Sequence, residues 1–174
     1  MAAAHPPAEI PEALLRTLEH AMVRDHGFRD HYAATVWLMD MQHRLADFLP
    51  DSRQRLKLLE QLVNQAHQNH LDPQLVLALI EVESRFRSQA VSPAGAVGLM
   101  QVMPFWKQEI GRPEDDLTDP AINLRYGCTI LAWYLDNEDH DMTRALARYN
   151  GSLGRTVYPE RVMQAWSQRW WTGR

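Results

Sequence analysis

A carboxylate driven toward the packed side of a protein is the first candidate for chemistry in this chain. After Asp72, the residues Leu75, Val76, Leu79 and Ile80 fall on one apolar face at about 100° per residue. Glu83 lies in the same arc, one turn beyond Leu79, whereas Glu81 points roughly the opposite way and reads as a solvated surface residue. An ionised carboxylate is costly to bury unless it is paired, so burial raises its pKa and keeps a proton on it. A proton held near neutral pH is what general acid catalysis requires. The plainer reading is a glutamate at the end of a core helix reaching out to water, and helical geometry alone does not choose between the two.

Beyond the helix, Ser92-Pro93-Ala94-Gly95-Ala96-Val97-Gly98 forms a small-residue loop leading into Leu99-Met100-Gln101-Val102-Met103-Pro104. Its two glycines permit positive φ or a close approach of backbone to a neighbour. The order Glu83-Ser84-x-Phe86, then Ala90-x-Ser92-x-x-Gly95-Ala96-x-Gly98-Leu99-Met100-Gln101-x-Met103-Pro104, resembles the catalytic segment of the Slt-type lytic transglycosylases. These are lysozyme-like enzymes that cleave the glycan strand of bacterial peptidoglycan. Three later stretches extend the resemblance. Asp119-Pro120-x-x-Asn123-Leu124-x-x-Gly127 is similar to a family helix in which the glycine permits close packing. Ala147-Arg148-Tyr149-Asn150 matches the family's Ala-x-Tyr-Asn element, and Tyr158-Pro159-Glu160-x-Val162 is similar to its closing helix. The resemblance spans about Asp72 to Val162. It departs after Phe86, where Arg87-Ser88 stands in place of the usual Asn-Pro or Asp-Pro, which bears on how the helix ends.

Carried over residue by residue, the resemblance implies Glu83 as the catalytic acid and then base. Ser92, Gln101, Met103, Tyr149 and Asn150 become the substrate-binding residues. Ser92 and Tyr149 are expected to hold the glutamate and the reacting sugar, the tyrosine through its hydroxyl. Gln101 and Met103 are expected to contact substrate from the loop. The implied substrate is the peptidoglycan glycan strand and the implied product a 1,6-anhydro-muramyl end, with no cofactor. A conventional glycosidase needs two carboxylates flanking the scissile bond, and only Glu83 has a motif-supported position. The loop carrying Asp115, Asp116 and Asp119 offers a second acid if it folds over the cleft. The alternatives are therefore a goose-lysozyme-like hydrolase using water, a non-catalytic glycan-binding module, and a scaffold of an envelope or secretion complex.

The elements that must position these residues read as helices throughout, with no strand pattern of useful length. Apolar residues recur at helical spacing in a run from Pro11 to near Gly27, and again through Tyr32, Val36, Leu38, Met39, Leu45 and Phe48 until Pro50. A third run, capped by Asp51-Ser52, holds Leu56, Leu59, Leu62 and Val63. Trp37 and Phe48 read as core. Further on, Asp119-Pro120 opens a helix and Thr143 is the expected N-cap of the next. The expected fold is all-α: one lysozyme-like domain of the goose-lysozyme and SLT type, residues 71–174, with an N-terminal helical extension, residues 1–70, packed on it. The tryptophans Trp166, Trp170 and Trp171 suit either terminal core packing or sugar stacking.

With 174 residues, 45% of them hydrophobic, the chain is long enough for a real core. A net charge of −4 does not suit a nucleic-acid binder. The single cysteine, Cys128, rules out an intramolecular disulfide framework and reads as a packing residue. His67 and His70, and His26 and His31, lack companions at ligand spacing, so no metal site is expected. No segment is long and apolar enough to span a membrane. The opening Met1–Pro7 has neither the basic run nor the apolar core of a secretory signal. Because peptidoglycan lies outside the cytoplasm, the resemblance implies export to the periplasm or cell envelope, with any leader or anchor outside this sequence.

Overall fold

Helices supply every regular element of the computed structural model, which describes residues 31–173 and, ahead of them, Arg16. The elements are α1 (His31–Leu45), α2 (Ser52–Gln68), α3 (Pro73–Ser84), α4 (Trp106–Ile110), α5 (Pro120–Asn137), α6 (Met142–Tyr149) and α7 (Val157–Ala165). A π-helical turn, Trp166–Trp170, closes the series. The all-α expectation agrees with this, since the described residues contain only the isolated bridges Val91 to Val97 and Val97 to Val102. The run from Pro11 to Gly27 lies, apart from Arg16, outside the described residues.

The chain divides into two compact units, Met1–Asn64 and Gln65–Arg174. In the first, α1 buries Ala34, Trp37, Leu38, Met41 and Leu45, and α2 buries Leu56, Leu58, Leu59, Leu62 and Val63. Tyr32 and Met39 are instead exposed, because they fall off the stripe set by Ala34, Leu38 and Met41. The helix ends at Leu45 rather than at Pro50. The carbonyls of Leu49 and Pro50 accept from Arg55 Nη1 at 2.6 and 2.9 Å, and Arg55 Nε donates to Gln42 Oε1 at 3.0 Å. Asp51 caps α2 by accepting from the Gln54 N–H at 2.8 Å, as its position before the apolar run suggests.

The second unit is organised on α3. Asp72 accepts from the Gln74 N–H at 2.9 Å and Pro73 takes the first turn, where no donor is missed. Every residue from Gln74 to Ile80 is buried, as befits a central helix that is apolar all round. It packs against α7 and the π-helical turn, while α6 packs on both α5 and α7. Asp119 caps α5, accepting from the Ile122 N–H at 3.1 Å. The cap of α6 is Asp141, not Thr143: its carboxylate accepts from the Arg144 N–H at 3.0 Å. A carboxylate is the better partner for a helix's positive end, and it starts the helix one residue before Thr143. Buried Glu138, at the end of α5, accepts from Arg144 and Arg148 of α6, which locks these two helices together.

Candidate active site

Glu83 sits in the last turn of α3, partly buried, and accepts a short hydrogen bond from the Tyr158 hydroxyl of α7. Burial pushes its carboxyl up from 4.5 to about 7, against the opposing pull of that hydrogen bond and of the positive charge on Arg161. Desolvation therefore outweighs both stabilising contacts, and a proton is available near neutrality. Tyr158 is itself buried, and the negative charge of Glu83 helps hold its hydroxyl protonated. It is thus a fixed donor to the carboxyl.

Immediately after Glu83 the helix stops abruptly. Arg85 and Phe86 both adopt left-handed backbone, with φ of 51° and 61°. The Arg87 guanidinium, through Nε, donates to the Ser84 carbonyl at 3.0 Å. This exit works without the proline that the family pattern leads one to expect. Phe86 turns inward against Trp170, with ring centroids 5.5 Å apart.

The loop facing this helix end is held by its own backbone from three helices. Ser84 Oγ of α3 donates to the Leu99 carbonyl at 2.7 Å. Fully buried Asn123 of α5 accepts from the Met100 N–H and donates to the carbonyls of Val97 and Leu117, each at 2.8 Å. Tyr149 of α6 donates its hydroxyl to the Met100 carbonyl at 2.7 Å. Glycine is required at two contacts. At Gly98, with φ +79°, a Cβ would lie 2.4 Å from both the Leu117 carbonyl oxygen and Asn123 Nδ2. At Gly127 it would lie 2.7 Å from Met100 Cβ. Satisfied buried polar groups of this kind fix one arrangement of a loop.

The sequence matches the transglycosylase SLT domain family over residues 61–165, more than half of the chain. The chain belongs to this family. It is 33% identical over 104 residues to a transglycosylase of Enterobacteria phage PRD1, covering 56% of this chain and 38% of the phage protein. It is 37% identical over 150 residues to the membrane-bound lytic murein transglycosylase C of Klebsiella pneumoniae, covering 75% of this chain and 39% of that protein. The chain thus spans about two fifths or less of the length of these curated relatives. It also aligns over 92% of its length with 32% of a lytic transglycosylase Slt from Pseudomonas aeruginosa solved as an inactive mutant, at TM-score 0.49 and 21% identity.

Within this SLT domain, the residues singled out from sequence fall into distinct places. Tyr149 does not hydrogen-bond the glutamate as the resemblance implied; Tyr158 does, and Tyr149 lies near enough to feel its charge. Ser92 closes the loop on itself, its Oγ accepting from the Ala96 N–H at 3.0 Å. Gln101, at φ 52°, turns its amide Nε2 back onto the carbonyls of Ala90 and Gly98 at 3.2 and 3.0 Å. Met103 is partly buried beyond it, and exposed Asn150 donates to Ser152 Oγ at 3.0 Å. Sequence reasoning missed Tyr158 and Asn123 as site-building residues. Both stand in stretches it marked as family-like, which was the available signal.

Glu81 is not the free surface residue expected. It accepts from Trp170 Nε1 at 2.7 Å and pairs with Arg169 at 3.4 Å. Trp170 is fully buried, and Trp166 Nε1 donates to Asp72 at 3.1 Å, so these two indoles serve packing. The aspartates offered as second acids are also engaged. Asp115 accepts from the Tyr126 hydroxyl at 2.6 Å and from Arg125 at 2.8 Å, Asp116 accepts from Thr118 Oγ1 at 2.7 Å, and Asp119 caps α5. No group of three or more His, Cys, Asp or Glu arranged to hold a metal ion occurs among the described residues.

Proposed function

We propose that this SLT domain is a peptidoglycan lytic transglycosylase, cleaving the β-1,4 bond between N-acetylmuramic acid and N-acetylglucosamine and leaving a 1,6-anhydro-muramyl end. The observation that carries the reading is a single carboxyl, Glu83, poised at about 7 by burial, beside a loop clamped from α3, α5 and α6. Protonated Glu83 gives its proton to the glycosidic oxygen as the bond to the muramyl C1 breaks. The substrate's own acetamido group stabilises the cation that develops. Glu83, now a carboxylate, takes the proton of the muramyl C6 hydroxyl, whose oxygen closes onto C1, so the proton balance of the enzyme is restored. Tyr158 keeps the carboxyl oriented through both steps. Ser92, Gln101, Met103, Tyr149 and Asn150 shape the sugar site around it.

Intramolecular attack is favoured over water for two reasons. The tethered hydroxyl has a high effective concentration, and Asp115, Asp116 and Asp119 are each committed to structural hydrogen bonds. In this reading residues 71–174 are the catalytic domain, residues 1–70 support it, and the protein works in the cell envelope without a cofactor. Mass spectrometry of products from purified sacculi tests it. Muropeptides should be one water lighter than lysozyme products and lack a reducing end. Ordinary reducing muramic acid would make the protein a hydrolase instead.

A further inference from the structure

Four aromatic rings cluster just beyond the clamped loop. We propose that Phe105, Trp106, Trp133 and Tyr134 form a stacking platform for a sugar ring of the glycan strand beyond the cleaved bond, an inference that rests on the function proposed above. Trp106 lies 5.1 Å from Phe105 and 6.4 Å from both Trp133 and Tyr134, and Trp133 and Tyr134 are 5.0 Å apart. The contacts among Trp106, Trp133 and Tyr134 are edge-to-face, and Phe105 lies tilted on Trp106. Yet Phe105 and Trp133 are each 54% exposed, unlike the indole of Trp170, which packs inside. Two large rings that both pack on Trp106 and are still half exposed offer an aromatic surface to a ligand.

Position and chemistry choose the occupant. Phe105 follows Pro104 directly, and the Trp106 N–H donates to the Met103 carbonyl at 3.1 Å, so the platform continues the site loop. Tyr134 lies within electrostatic reach of the Tyr149 hydroxyl, as Glu83 does. An N-acetylated pyranose of the strand, with its face of C–H bonds, suits exposed aromatic rings that continue the site loop.

Calorimetric titration with the hexamer and the dimer of N-acetylglucosamine, on the intact chain carrying Glu83→Gln, is the test. Adding Trp133→Ala should weaken hexamer binding about tenfold, the scale of one lost aromatic contact, and leave dimer binding unchanged. Trp133→Phe should restore most of it. Equal hexamer affinity with and without Trp133→Ala, or no hexamer binding at all, overturns the platform. Should Trp133→Ala lower the melting temperature sharply, Phe105→Ala takes its place under the same criteria. Clearing of sacculi by the unmodified protein is measured separately. Its absence sinks the catalytic reading, while the titration still decides the platform.

Discussion

Replacing Glu83 with glutamine removes the acid and its charge while keeping the side chain's shape and an oxygen to accept from Tyr158. Its effect on stability should depend on pH in a direction set by the site. Between 4.5 and about 7 the folded chain holds a proton on Glu83 that the unfolded chain has released. The native state then binds more protons, so stability falls as pH rises through this window and levels off above it. At about 1.36 kcal/mol per pH unit, the full loss is up to about 3 kcal/mol. Glutamine carries no such penalty. Glu83→Gln should therefore match the parent near pH 4 and exceed it by about 1–3 kcal/mol at pH 8, while losing turnover by orders of magnitude. Urea unfolding at the two pH values, beside a turbidity assay on sacculi, reads both. A stability difference that is the same at pH 4 and pH 8, or a variant less stable at pH 8, refutes the account of a carboxyl held neutral by burial.

The remaining expectations concern the groups around it. Tyr158→Phe deletes the hydrogen bond that opposes burial, so the alkaline fall in activity, expected near 7, should move to higher pH; an unmoved limb would deny that this hydroxyl tunes the acid. Asn123→Asp replaces the amide that donates to the Val97 and Leu117 carbonyls and should cost about 2–4 kcal/mol. A loss under about 0.5 kcal/mol in urea unfolding would remove Asn123 from the clamp. Gly127→Ala would set a methyl 2.7 Å from Met100 Cβ. It should destabilise by about 1–3 kcal/mol and depress turnover as the Met100 loop is pushed, and a melting temperature equal to the parent's would contradict that.

Sequence alone determined what depends on neighbours along the chain. The caps at Asp51, Asp72 and Asp119 are local, because an N-cap side chain reaches only two or three residues ahead. The face on which Glu83 lies follows from the period of the helix, and the need for glycine at 98 and 127 was visible as small residues in a recognisable order. What only the tertiary structure decided are contacts between distant segments. The hydroxyl on Glu83 belongs to Tyr158, 75 residues away, because α7 rather than the end of α6 packs across that part of α3. Tyr149, expected there, is 49 residues from the carbonyl it meets and ties down Met100 instead. Glu81, polar and on the outward face, is claimed by the indole of Trp170, 89 residues on. The proton on Glu83 is likewise a property of the packed state. Periodicity can point a carboxylate inward, but only the surrounding side chains remove the water that would keep it charged.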